Sequence, residues 1–124
     1  MDDLRDLLAL TAGIAGDFYD TLPHRPVFPR ASADELRVSL DRPLPEQPTD
    51  ARTVIAELAA GVDPGLVAEP DGRYFGFVIG GAVPASLAAD WLTTAWDQNA
   101  GLYIGGPSAS VVEEIAYQLR FRNI

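Results

Sequence analysis

The chain has 124 residues, 48% of them hydrophobic, and no cysteine. That length suits one domain or a piece of a larger one, with enough apolar material for a core, and the lack of cysteine excludes disulfides and thiolate chemistry. A formal net charge of -9 argues against nucleic acid and anionic membrane surfaces as partners, since both need a cationic face.

In chain order, Leu4, Leu7, Leu8, Thr11, Ile14, Ala15 and Phe18 recur at three- and four-residue steps. This predicts an amphipathic helix capped by Asp2 or Asp3, with Thr11 turning its methyl inward. Gly13 and Gly16 weaken it by ~1 kcal/mol each relative to Ala, so the helix depends on packing. Pro23, Pro26 and Pro29 then impose an extended arm. Ser32 and Glu35 form a capping box for a short helix through Leu40. Pro43, Pro45 and Pro48 make a second arm, and Asp50 opens a third helix with Val54, Ile55 and Leu58 on one face. Gly61 reads as its stop and Asp63-Pro64-Gly65 as a turn. Three modest helices on long arms suit a chain that wraps another surface.

The second half opens on Gly76-Phe-Val-Ile-Gly-Gly81, an uncharged stretch that reads as a short extended segment, Tyr74 to Ile79. It suits a buried strand and turn, or one wall of a pocket whose other walls lie elsewhere. Pro84 begins a helix with Leu87, Ala88, Trp91, Leu92, Ala95 and Trp96 on a broad apolar face, ending around Asn99 to Gly101. Asp97, Gln98 and Asn99 read equally as an ordinary helix end and as the rim of an interface or pocket. Ser110 and Glu113 form a second capping box, for a helix with Val111, Val112, Ile115 and Leu119 on one side.

Catalytic groups are scarce. All nine basic residues are arginine. Without lysine no side-chain amine can form an imine, and arginine, which stays protonated, is no substitute. His24 is the only histidine; it stands between prolines without a carboxylate to orient it, and is expected to be solvated. No metal-ligand cluster, nucleophile elbow, P-loop or dinucleotide fingerprint occurs. The start, Met1-Asp2-Asp3-Leu4, is acidic where a secretory leader would be basic. The longest uncharged run, Tyr74 to Ala89, is shorter than the ~20 residues of a spanning helix. These features predict a cytoplasmic protein with no membrane segment.

The pieces RYFGFVIGG, LAADWL, WDQNAGLY and VVEEIA, in order between Arg73 and Ala116, resemble the N-terminal part of pyridoxal-phosphate-dependent decarboxylases, the group of aromatic-L-amino-acid and glutamate decarboxylases. LPHRPVFPR and PTDARTVIAELAAGVDPGLV resemble that family's leading arms and helices. The resemblance implies a mainly α chain: a dimer-wrapping helical arm, residues 1–70, then residues 71–124 as the first helices of a fold-type I large domain, whose parent is α/β. It implies a substrate-pocket wall at Phe77, Val78, Ile79 and Gly80. It also implies approach to a neighbouring subunit's pocket by Asn99, Gly101 and Tyr103. An apolar wall of this kind favours an aromatic or otherwise apolar amino acid.

The family's imine-forming lysine, ring-stacking histidine and aspartate partner of the pyridinium lie downstream of the region matched here. The ending YQLRFRNI also departs from the family, where an apolar helix continues toward Leu-Gly-Leu-Pro. A shifted or truncated reading frame explains that departure first, and an expressed fragment second. The expectation is therefore a scaffold segment with no covalently bound cofactor, acting as a homodimer or docked onto a pyridoxal-phosphate-binding chain. The contrasting expectation is a stand-alone acidic helical interaction module.

Overall fold

The computed structural model describes residues 2–99 and 101–122. They are mainly helical, and no strand occurs among the described residues. The chain divides into two units, Met1–Gly81 and Ala82–Ile124.

The first unit holds α1 (Asp2–Thr21), α2 (Ala33–Leu40) and α3 (Ala51–Val62), the last running into a 3-10 turn at Asp63–Gly65. α1 runs from Asp2, so Asp3 lies not at a capping position but in the first turn, where an acidic residue suits the helix dipole; the Asp2 side chain, the other expected cap, lies outside what the structure describes. The expected stripe is half-buried at Leu7, Thr11, Ile14 and Phe18, while Leu4 and Leu8 stay exposed. Thr11 Oγ1 donates to the Leu7 carbonyl at 2.9 Å, which satisfies its hydroxyl within the helix.

α3 is the centre of this unit, with both α1 and α2 packed on it. Gly61 lies inside α3 and is not its stop. A Cβ there would stand 2.8 Å from Leu40 Cδ2 and 3.2 Å from Ser39 Oγ, so the glycine lets α2 approach. Ser39 Oγ donates to the Gly61 carbonyl across the same contact at 3.2 Å.

The capping box at α2 forms as expected. The Glu35 N–H donates to Ser32 Oγ at 3.2 Å, and the Ser32 N–H donates to Glu35 Oε2 at 2.7 Å. The Ser32 N–H, and then the Ser32 hydroxyl, which donates to the same Oε2 at 2.8 Å, hold the Glu35 carboxyl below its ordinary pKa. Ser32→Ala is expected to cost about 1 kcal/mol of helix stability. Faster amide exchange confined to residues 33–36 would report it.

The loops of this unit are tied by one arginine. Arg73 donates through Nη2 to the carbonyls of Leu22 and Arg25, and through Nε to Asp71 Oδ1 at 2.7 Å. The Ala68 N–H donates to the Val27 carbonyl at 2.9 Å. Leu22, Ala68 and Tyr74 are the buried apolar residues, and Phe28 lies against Tyr74 with ring centroids 5.7 Å apart. The first proline arm is therefore pinned down along its length.

The second unit holds α4 (Pro84–Trp96), a 3-10 turn (Tyr103–Gly105) and α5 (Pro107–Arg122). α4 stops at Trp96, short of the expected Asn99 to Gly101. Asp97 takes a left-handed φ of 46°, its N–H bonds the Thr93 carbonyl at 3.1 Å, and Gln98 Nε2 covers the Trp96 carbonyl at 2.7 Å. α5 starts at Pro107, which suits the first helical position because it lacks an N–H. Ser110 thus sits inside the helix, with its N–H bonded to the Gly106 carbonyl at 3.0 Å, and is not the expected cap. None of the described apolar side chains of this unit is buried.

Candidate functional site

Tyr74 to Ile79 is not the extended segment expected from its composition. Tyr74 is buried and its N–H bonds the Asp71 carbonyl at 3.0 Å; the chain then turns sharply. The Ile79 N–H donates to the Gly76 carbonyl at 3.0 Å, with Phe77 at φ 53° and Val78 at φ 58° between them. Positive φ at both central positions marks a type I′ turn, a conformation that favours Asn and Gly and costs an aromatic or β-branched residue of order 1–3 kcal/mol. The flanking glycines stand close to their neighbours. A Cβ on Gly81 would meet Pro70 Cα at 2.9 Å, and one on Gly76 would meet the Tyr74 hydroxyl at 3.0 Å.

The turn displays its apolar residues to solvent. Phe75 is 91% exposed and Phe77 81%, with Val78 fully exposed and Ile79 and Gly80 also exposed. The four expected wall residues therefore share one protruding turn of the first unit. All four are exposed to solvent.

Asn99, Gly101 and Tyr103 fall together in the second unit, in the loop between α4 and α5; Ala100 between them lies outside the described residues. Asn99 Oδ1 accepts from the Gly101 N–H at 2.8 Å, closing the loop on itself. The Gly105 and Gly106 N–H groups both donate to the Leu102 carbonyl, at 3.0 and 3.2 Å. Leu102, Tyr103 and Ile104 project outward, as does Trp96 at the end of α4. The loop is thus a polar-bonded support for an exposed aromatic and aliphatic rim.

The sequence gives no signal for a groove between α1 and α3. It has a volume of about 630 Å³ and is lined by Thr11, Ile14 and Phe18 of α1 and by Ile55, Leu58 and Ala59 of α3. Arg25 stands at its end, 14% exposed, paired with Asp63 and lying 4.7 Å over the Phe18 ring. Arginine periodicity says nothing about such a position, because a loop and a later turn supply the two partners.

Pyridoxal phosphate, the cofactor that the family resemblance implies, does not fit the groups present. No residue of the chain has an ε-amine, and His24 is exposed in a turn after α1. Arg25 and Arg73, which could meet a phosphate, are engaged by Asp63 and Asp71. No cluster of metal-ligating side chains occurs among the described residues. Comparison with family models, curated proteins and solved structures finds no match for the chain. What the turn and the loop present in common is exposed apolar surface: Phe75, Phe77 and Val78 on the one, Leu102, Tyr103 and Ile104 on the other.

Proposed function

We propose that the chain is the N-terminal segment of a pyridoxal-phosphate-dependent amino-acid decarboxylase. In this reading it supplies dimer interface and substrate-pocket wall and is inactive alone. The supporting observation is apolar surface left open on the very pieces that resemble the family. Phe75, Phe77 and Val78 project from RYFGFVIGG, while Trp96, Leu102 and Tyr103 project from WDQNAGLY and Ile104 immediately after it. Large exposed apolar surface of this kind marks an interface.

Its partner in this reading is a second copy or a lysine-bearing, cofactor-binding chain, in the cytoplasm. The substrate class is an amino acid with an apolar side chain, since Phe77, Val78 and Ile79 offer no polar partner to a second carboxylate. The parent reaction is loss of carbon dioxide, and the groups that carry it stand outside this polypeptide. No helix of the described residues is long and apolar enough to cross a membrane.

The isolated chain is expected to self-associate in sedimentation experiments, to bind a hydrophobic dye, and to unfold over a broad range. With pyridoxal phosphate and borohydride, no side-chain adduct is expected once the α-amino terminus has been blocked. The DNA beyond codon 124 is expected to encode, in some frame, the lysine-bearing cofactor region. A monomer that unfolds in one sharp transition, with no such region downstream, would replace this reading with the stand-alone interaction module. The ties that Arg73 makes within the first unit are what favour that second reading. Decarboxylation by the isolated chain would overturn both.

A further inference from the structure

The two proline arms differ in one respect that composition hides. The first, with Pro23, Pro26 and Pro29, has its carbonyls and side chains engaged: Arg25 and Val27 accept hydrogen bonds and Phe28 packs on Tyr74. The second runs from Asp41 to Thr49 between α2 and α3, and every residue of it is exposed. Among the described residues, no backbone hydrogen bond involves residues 42–48.

We infer that Arg42-Pro43-Leu44-Pro45-Glu46-Gln47-Pro48 is a docking segment for an SH3-type module, a domain with an aromatic-lined groove flanked by an acidic pocket. Such modules bind P-x-x-P segments in the polyproline II form, which repeats every three residues. At that period Arg42, Pro45 and Pro48 fall on one edge and Leu44 and Gln47 on the next. Pro43 and Glu46 fall on the third, away from a groove. The segment thus aligns a cation, two prolines three apart and an aliphatic residue on adjoining edges. Leu44 is 92% exposed, so little packing is given up on docking.

Arg42 is free to turn toward a partner. Its ion pair with Glu57, at 3.0 Å, joins two side chains that are both more than half exposed, and such pairs contribute little. The bend at Glu46 and Gln47 has no backbone hydrogen bond holding it, so straightening it breaks none. Binding would leave α2 and α3 intact. This inference does not depend on the decarboxylase reading.

The test is a titration of a ¹⁵N-labelled SH3 domain, one that prefers a cation three residues before the first proline of P-x-x-P, with the unlabelled full chain. Saturable shifts are expected in the aromatic groove and acidic pocket. Pro45→Ala, Pro48→Ala and Arg42→Glu are each expected to weaken binding about tenfold or more, while Pro43→Ala stays within about twofold. Far-UV dichroism should be unchanged in all four, because the segment supports no helix. Absence of a saturable shift would overturn the inference. So would shifts spread outside the groove, the mark of an apolar helix face binding instead, or wild-type affinity in both Pro45→Ala and Pro48→Ala.

Discussion

Arg73→Ala is expected to free residues 68–81 from the end of α1 while leaving the three helices of that unit formed. One guanidinium holds both sides of this contact: the Leu22 and Arg25 carbonyls on one, and Asp71 on the other. These are charge-assisted bonds in a fork that alanine cannot imitate. Leu22 itself is buried, so its carbonyl would lose a partner in a place where water is scarce. Amide exchange at Ala68 and Tyr74, whose N–H groups bond the Val27 and Asp71 carbonyls, should accelerate by about tenfold or more, since tenfold is the factor for losing even one such bond and the substitution removes both carbonyl bonds. Arg73→Lys should recover only part of the protection, since an ammonium cannot span the same acceptors in plane. Exchange unchanged in Arg73→Ala would show that Tyr74 and Ala68 hold the contact unaided.

The same latch has a pH dependence. The hydrogen bonds from Arg73, side chain before backbone, hold the Asp71 carboxyl below its ordinary pKa, and Asp71 in turn raises that of Arg73. A carboxyl with a depressed folded-state pKa stabilises the fold above its unfolded value, about 3.9. That contribution is lost as pH falls through the lower folded value. Protection of residues 68–81 should therefore hold at neutral pH and fade only in strong acid. Asp71→Asn should remove this acid response.

What could be read in advance was local. The α2 capping box needs only Ser32, Glu35 and their spacing, and it formed. The stripes of α1, α3 and α4 gave helices because periodicity is a property of neighbours along the chain. Where a residue's role comes from a distant segment, spacing carried no signal. Gly61 looked like a helix stop and is a point of approach for Leu40. The turn at Phe77 and Val78 was equally hidden, because neither residue type favours positive φ. Proline content placed both arms, yet only the long-range bonds to Arg73 and Ala68 separate the pinned arm from the open one. The candidate site was legible as two apolar stretches, but not as an exposed turn and an exposed loop belonging to different units.

Gly106→Ala is expected to disturb the second unit out of proportion to its size. Gly106 has φ -161°, extended backbone that any residue adopts, so strain in the chain is not the issue. The obstacle is contact: a Cβ would run into the Asn99 carbonyl oxygen and stand 3.1 Å from its carbon. Neither atom can swing aside as a side chain would. The Asn99 side chain accepts from the Gly101 N–H, while the Gly106 carbonyl accepts from Ser110, within the first turn of α5. One of those two anchors must give, and overpacking of this kind costs about 1–3 kcal/mol. Exchange at Gly101 or Ser110 should rise sharply, and the rim formed by Leu102, Tyr103 and Ile104 should change its presentation. Gly105→Ala, one residue away, meets nothing nearer than 3.9 Å, so a Cβ fits there without contact strain. If Gly106→Ala leaves both amides as protected as Gly105→Ala does, the Asn99 carbonyl does not pack against Gly106, and the loop geometry assigned to Asn99, Gly101 and Tyr103 is wrong.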